Sequence, residues 1–268
     1  MKQAITPENV WQIIERLEQK RFMTNPFFLI MNCEYEEVGG ETLVYWKWTP
    51  ETLIYAPKNF TLAKGKSVWC LKDDLVRLQA SGLPIKSNTP DSTEFFYQTR
   101  HLIELKGADY KKMRNKIHAA RKKYAFTFHD DCPADEAKAI INDWHAKTIG
   151  KKSDYQKTTV NFEVESALTM VDLLPSLPRV RQLAVRLDGK LVGYSLFCPL
   201  YKDFWVSVIQ KTDRKYRNLA KVMYHEKCKR MADFPSASFG DDAKDPALTA
   251  AKAELHPSRT EVAYLVEL

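Results

Sequence analysis

The stretch from Val180 to Gln210 constrains the fold more than any other part of the chain. Val180 to Leu187, Leu191 to Pro199 and Phe204 to Gln210 read as three consecutive strands, rich in aliphatic, β-branched and aromatic residues. Asp188-Gly189 between the first two is a strong hairpin signal, because the tight turn needs positive φ at both central positions. A helix follows, with Leu219, Val222, Met223 and Met231 on its apolar side. Around this core the second half reads as a strand at Phe126 to His129, helices at Asp135 to Thr148 and Val164 to Leu173, a short strand at Ala237 to Phe239, a helix opening at Asp245-Pro246 and a terminal strand at Glu261 to Leu268.

The first half has a similar order. Thr6-Pro7-Glu8 caps a helix in which Val10, Ile13, Ile14 and Leu17 repeat at helical spacing. Strands are expected at Phe27 to Cys33, Thr42 to Trp48, Thr52 to Ala56 and Val68 to Leu71, with a turn at Gly39-Gly40. A helix at Lys72 to Ala80 ends at Ser81-Gly82. Residues 86 to 93 are polar and read as a loop before a strand near Phe95 to Leu105. No low-complexity segment separates the halves, so the expectation is two packed α/β domains, 1–124 and 125–268.

Residues 107 to 124 carry the clearest statement about a partner. At helical spacing Tyr110, Met113, Ile117, Ala120 and Tyr124 fall on one face, and Lys111, Arg114, His118, Arg121 and Lys122 on another. From Arg100 to Tyr124 nine Lys and Arg face two acids, an excess of +7 that equals the formal charge of all 268 residues. The remainder is close to neutral, so the basicity sits in one place and suits a polyanion; the competing reading is a merely solvated helix face.

Other features exclude classes. The start, Met-Lys-Gln-Ala-Ile-Thr-Pro-Glu, has no apolar run of a signal peptide, and no segment approaches eighteen consecutive apolar residues. The five cysteines are odd in number, scattered and without metal-type spacing, which points to reduced thiols in a cytoplasmic protein with no structural metal. No Ser/His/Asp or Cys/His arrangement stands out.

The run from Arg181 to Leu196, the strand after it and the turn Asp213-Arg-Lys-Tyr-Arg-Asn-Leu-Ala-Lys resemble the central part of the GNAT acyltransferase superfamily. In its acyl-CoA users that turn carries glycines that let backbone amides grip a pyrophosphate; here those positions hold Asn218 and Ala220, which argues against coenzyme A. A narrower resemblance covers Phe95 to the C-terminus. Leu102 to Ile117 is similar to the L-x-G-x-x-Y-x-K-x-R-N-x-I signature of the phosphatidylglycerol lysyltransferase C-terminal domain family, and Asp241-Asp242, Leu248, Ala251-Lys252 and His256-Pro257 resemble its later motifs. One departure is Thr249, where the family usually has arginine.

The resemblance implies a tandem of GNAT-like α/β folds with mixed sheets flanked by helices. It also implies an aminoacyltransferase that moves an amino acid from aminoacyl-tRNA, its co-substrate, to a small-molecule, peptide or lipid head-group acceptor, as Fem-type enzymes do in outline. Lys111, Lys112, Arg114, Asn115, His118, Arg121, Tyr216 and Arg217 are the expected donor contacts. Asp241 and Asp242 are expected to hold the donor ammonium or take the acceptor proton, or else to be helix-start charges; Lys252 faces the ester or phosphates, or is a surface lysine. The reacting centre is expected where the strands Leu191 to Pro199 and Phe204 to Gln210 meet the loop at Asp241-Asp242, with a strand amide supporting the oxyanion. The competing readings are an N-acetyltransferase that uses acetyl-CoA and a non-catalytic RNA-binding protein, the latter permitted by Thr249.

Overall fold

At Asp188-Gly189 the φ angles are 50° and 77°, and the turn joins the antiparallel strands Arg181–Leu187 and Lys190–Tyr201. The coordinates are a computed structural model that describes residues 1–17, 20–150 and 154–268. The strand Phe204–Thr212 pairs antiparallel with Lys190–Tyr201, and a register shift between Ser207 and Ile209 bulges it at Val208. Thr127–His129 closes the other side, pairing with Arg181–Leu187. The helix Leu219–Arg230 packs on these strands, and Gly193 makes that approach possible: a Cβ there would lie 2.6 Å from Met223 Sδ. Helices Ala134–Ile149 and Asp154–Leu173 pack on each other. Leu183, Val192, Tyr194, Leu196, Phe197 and Trp205 are fully buried among these elements. Trp205 Nε1 donates to Thr99 Oγ1 at 3.0 Å and so pins the short helix Thr99–Glu104. All of this lies in one compact unit, residues 97–237.

The other unit is residues 1–96 with 238–268. Its strands run in the order Gln3–Ala4, Cys33–Val38, Glu41–Trp46, Thr49–Leu53, Ser67–Leu71, Arg259–Glu267, Ser87–Gln98 and Ser236–Asp241, the last belonging to this unit from Ser238 onward. Most pairings are antiparallel, and Thr49–Leu53 with Ser67–Leu71 is parallel. The sheet is mixed and flanked by helices, as expected. The C-terminal strand Arg259–Glu267 is hydrogen-bonded on both sides, Leu265 opposite Trp69 and opposite Thr89. Leu43, Tyr45, Leu53, Val68, Leu75 and Val266 form part of the core beneath.

Three expectations fail locally. The strand expected near Phe95 to Leu105 ends at Gln98, and Thr99–Glu104 is a helix. Residues from Phe27 onward form a helix, Pro26–Asn32, not a strand: Asn25 caps it by accepting from Phe28 N–H at 3.0 Å, and Pro26 takes the first position. Residues 86–93 lie mostly in the strand Ser87–Gln98, because the C-terminal strand supplies distant partners, from Ser87 opposite Glu267 to Thr93 opposite Val262, for a polar segment with little strand propensity of its own. The expected domain boundary at 124/125 falls inside the unit 97–237.

Candidate functional site

Asp241 ends the strand Ser236–Asp241, and the loop behind it turns through left-handed Ala243 and Lys244 (φ 46° and 57°). Asp242 organises that loop. Its Oδ1 accepts from Thr93 N–H at 3.0 Å and Lys244 N–H at 3.3 Å, and its Oδ2 from the Thr249 hydroxyl at 2.9 Å. Burial alone would raise the carboxyl; the donors outweigh it and hold it below the usual carboxylate range. Asp241 differs: burial pushes its carboxyl above that range, against the nearby Lys252 ammonium and the Ala243 N–H at 3.0 Å. Asp245 then caps the helix Pro246–Ala253, accepting from Ala247 N–H at 2.8 Å. Lys252 is buried and donates to the carbonyls of Phe239, at 2.8 Å, and Asp241. Its ammonium fastens the strand end. Thr249, where the family arginine would stand, is one of the donors that engage Asp242. Of the two aspartates, Asp241 has the more available carboxyl for proton transfer.

The basic helix spans Lys111–Lys123 and buries Met113, Ile117 and Ala120, the face read from the sequence. It packs on the helix Leu219–Arg230. Its basic residues separate into two groups. Arg121 pairs with Glu226, and Arg114 donates to the carbonyl of Leu105, at the left-handed end of the helix Thr99–Glu104. Glu226 would be raised by burial, but Lys229 and Arg121 hold it below its ordinary value. Arg114, His118 and Arg121 line a cavity of about 330 Å³ that also includes His225. His225 is held below its usual value chiefly by burial, and its Nε2 lies 3.0 Å from the Ile103 carbonyl.

The second group opens a groove of about 470 Å³ lined by Lys112, Asn115, Lys116, Lys123, Tyr124, Arg217 and Asn218, among others. Lys112, Asn115 and Arg217, expected as donor contacts, share this groove with Lys116, Lys123, Tyr124 and Asn218. Lys111 is exposed at the helix start. Tyr216 precedes Arg217 and lies edge-on to Tyr124, with ring centroids 5.4 Å apart. Asn218 has φ 66°, the left-handed conformation that a glycine would give, and starts the helix Leu219–Arg230, whose first turn has no acid. Cationic side chains thus converge on a helix N-terminus, where anions are held favourably.

Three buried ionic groups were not anticipated. Lys227, fully buried, donates to Ser207 Oγ beside the bulge. Lys211 pairs with Glu163 and sits 3.5 Å from the Trp144 ring centre; burial lowers its ammonium despite the glutamate. Glu94, buried and raised by that burial, accepts from Phe22 N–H and Ser238 Oγ, both at 2.6 Å. Lys227 follows Val222, Met223 and Glu226 on the buried side of its helix, and that spacing was the available signal.

A family model for the phosphatidylglycerol lysyltransferase C-terminal region matches residues 52–265. No curated protein matches the chain. Among solved structures, a conserved protein of unknown function from Bacteroides thetaiotaomicron superposes with a TM-score of 0.85 at 15% identity, over 100% of this chain and 99% of that one. The L-PGS structure from Bacillus licheniformis gives a TM-score of 0.69 at 12% identity, over 100% and 93%. A tandem GNAT protein from the clavulanic acid biosynthesis pathway gives 0.52 at 10%, over 99% and 97%. At these identities the structures speak to the fold, which is tandem GNAT-like. The family match covers most of the chain and includes the signature at the basic helix and the acidic loop: the protein belongs to the phosphatidylglycerol lysyltransferase C-terminal family and is an acyltransferase of the aminoacyl-transferring kind.

Proposed function

We propose that the chain transfers an aminoacyl group from aminoacyl-tRNA to an acceptor nucleophile, with the RNA phosphates seated in the groove of Lys112, Lys116, Lys123 and Arg217. That groove is the observation that carries the reading, since it sets four cations beside a helix N-terminus. In the reaction an acceptor amine or hydroxyl attacks the ester carbonyl, the bond to the ribose oxygen breaks, and a base passes the nucleophile's proton to that leaving oxygen. Asp241 is the proposed base. The family name favours a lipid head group as acceptor; a peptide or small molecule suits the same chemistry, and a cytoplasmic setting supplies the tRNA.

The test is tRNA binding as a function of salt. The parent should bind with an affinity that falls steeply as salt rises. Lys112→Ala, Lys123→Ala and Arg217→Ala combined should weaken binding by about a hundredfold or more and flatten the salt slope by about three phosphates. Unchanged binding in that variant would refute the groove. Asn218 gives the acetyl-CoA reading one specific support, because its left-handed φ supplies the turn without glycine. A thermal shift that grows with acetyl-CoA concentration would favour that reading; no shift is expected.

A further inference from the structure

Three half-buried rings cluster where Tyr124 meets the basic groove. Tyr124 lines it, Phe126 lies 5.3 Å away with its plane tilted by 37°, and Tyr216 is nearly perpendicular to both, at 89° and 86°. The rings therefore form a corner, with two on one wall and one on the other. The core aromatics of the same unit, Tyr97, Tyr194, Phe197 and Trp205, are almost wholly buried, whereas these three keep surface toward solvent. Each tyrosine also follows a lysine that approaches its ring: Lys123 Nζ is 5.2 Å from the Tyr124 centroid, and Lys215 Nζ is 4.9 Å from that of Tyr216. Rings that alternate with cations along a groove are what single-stranded nucleic acid requires, since phosphates take the cations and bases take the π-faces. A duplex end needs only the cations.

We infer that Tyr124, Phe126 and Tyr216 form a stacking platform for an unpaired nucleobase at the 3′ end of the RNA. The inference rests on the reading of the groove as an RNA site and adds to it a subsite for the single-stranded terminus, where the aminoacyl ester is carried. Stacking on one wall leaves the base edge facing the other ring. The platform fixes where the terminal nucleotide lies relative to the helix start at Asn218, and so sets how far the ester reaches.

The experiment compares two RNA hairpins of identical stem, one blunt and one with a four-nucleotide 3′ overhang ending in 2-aminopurine. On the parent protein the overhang should tighten binding by on the order of tenfold or more, and the terminal fluorescence should be quenched by stacking. Tyr124→Leu with Tyr216→Leu, which keeps apolar volume, should erase the difference between the hairpins and leave the terminal fluorescence unquenched. Tyr124→Phe with Tyr216→Phe should behave as the parent. Parent protein that binds both hairpins equally without quenching would overturn the platform and leave the groove standing. Failure of the parent to bind either hairpin would overturn both. The parent measurement needs no variant to fold, so the inference is tested even where the leucine substitutions destabilise the turn.

Discussion

Adjacent aspartates with opposite shifts give Asp241 and Asp242 different duties. Asp242 is ionised and triply engaged, so Asp242→Asn removes the charge and sets an amide NH2 donor against groups that themselves donate, and should destabilise the first unit by about 1–3 kcal/mol at neutral pH. A carboxyl held low contributes stability that is present above its unfolded value and lost as pH falls through the folded one. The difference between parent and Asp242→Asn in urea melts should therefore shrink as pH is lowered below about 4. Asp241 runs the other way. Its raised value contributes stability below the unfolded pKa that is lost as pH rises through the folded one, so Asp241→Asn should match or exceed the parent at neutral pH. In an aminoacyl-transfer assay the same substitution should lower the rate by about a hundredfold or more, with tRNA affinity unchanged. Full activity in Asp241→Asn would remove it from the chemistry.

At the scale of elements, the turn into the helix Leu219–Arg230 offers a sharp prediction. Asn218 is left-handed, a conformation open to Asn and Gly but costly for Ala. Asn218→Gly should leave the melting temperature within a degree or two, whereas Asn218→Ala should cost about 1 kcal/mol. Equal melting of the two variants would mean the turn relaxes. The sequence made this helix and the strands before it legible, since Asp188-Gly189, the aliphatic runs and the 3.6 period all act locally. It also placed the buried face of the basic helix at Met113, Ile117 and Ala120. It could not show that Arg114 and Arg121 are taken by Leu105 and Glu226, because Glu226 is 105 residues from Arg121 and becomes its neighbour only when two helices pack. Nor could it reveal the strand Ser87–Gln98, whose polar residues are extended by a distant partner. The helix Pro26–Asn32 was readable from Asn25-Pro26 but was masked by the apolar run Phe27 to Met31, which suits either state.

For the whole molecule, chain order and compact units do not coincide. The chain leaves the first unit at Phe96, builds the second from Tyr97 to Ala237, and returns at Ser238 to complete the first. A fragment 1–124 therefore contains the strands Ser67–Leu71 and Ser87–Gln98 but lacks the strand that pairs with both, Arg259–Glu267. It also lacks Val266 and Leu268, which are buried in the core with Val68 and Leu75. Without that strand two ladders lose their partners and the apolar cluster opens to water. Fragment 1–124 should consequently show no cooperative melt and little amide-exchange protection. Deletion of residues 259–268 from the full chain should abolish protection in Ser67–Leu71 and Ser87–Gln98. Added in trans, a peptide of residues 255–268 should restore part of it by strand addition. A cooperative melt in fragment 1–124 by itself would show that the first unit does not depend on the returning strand.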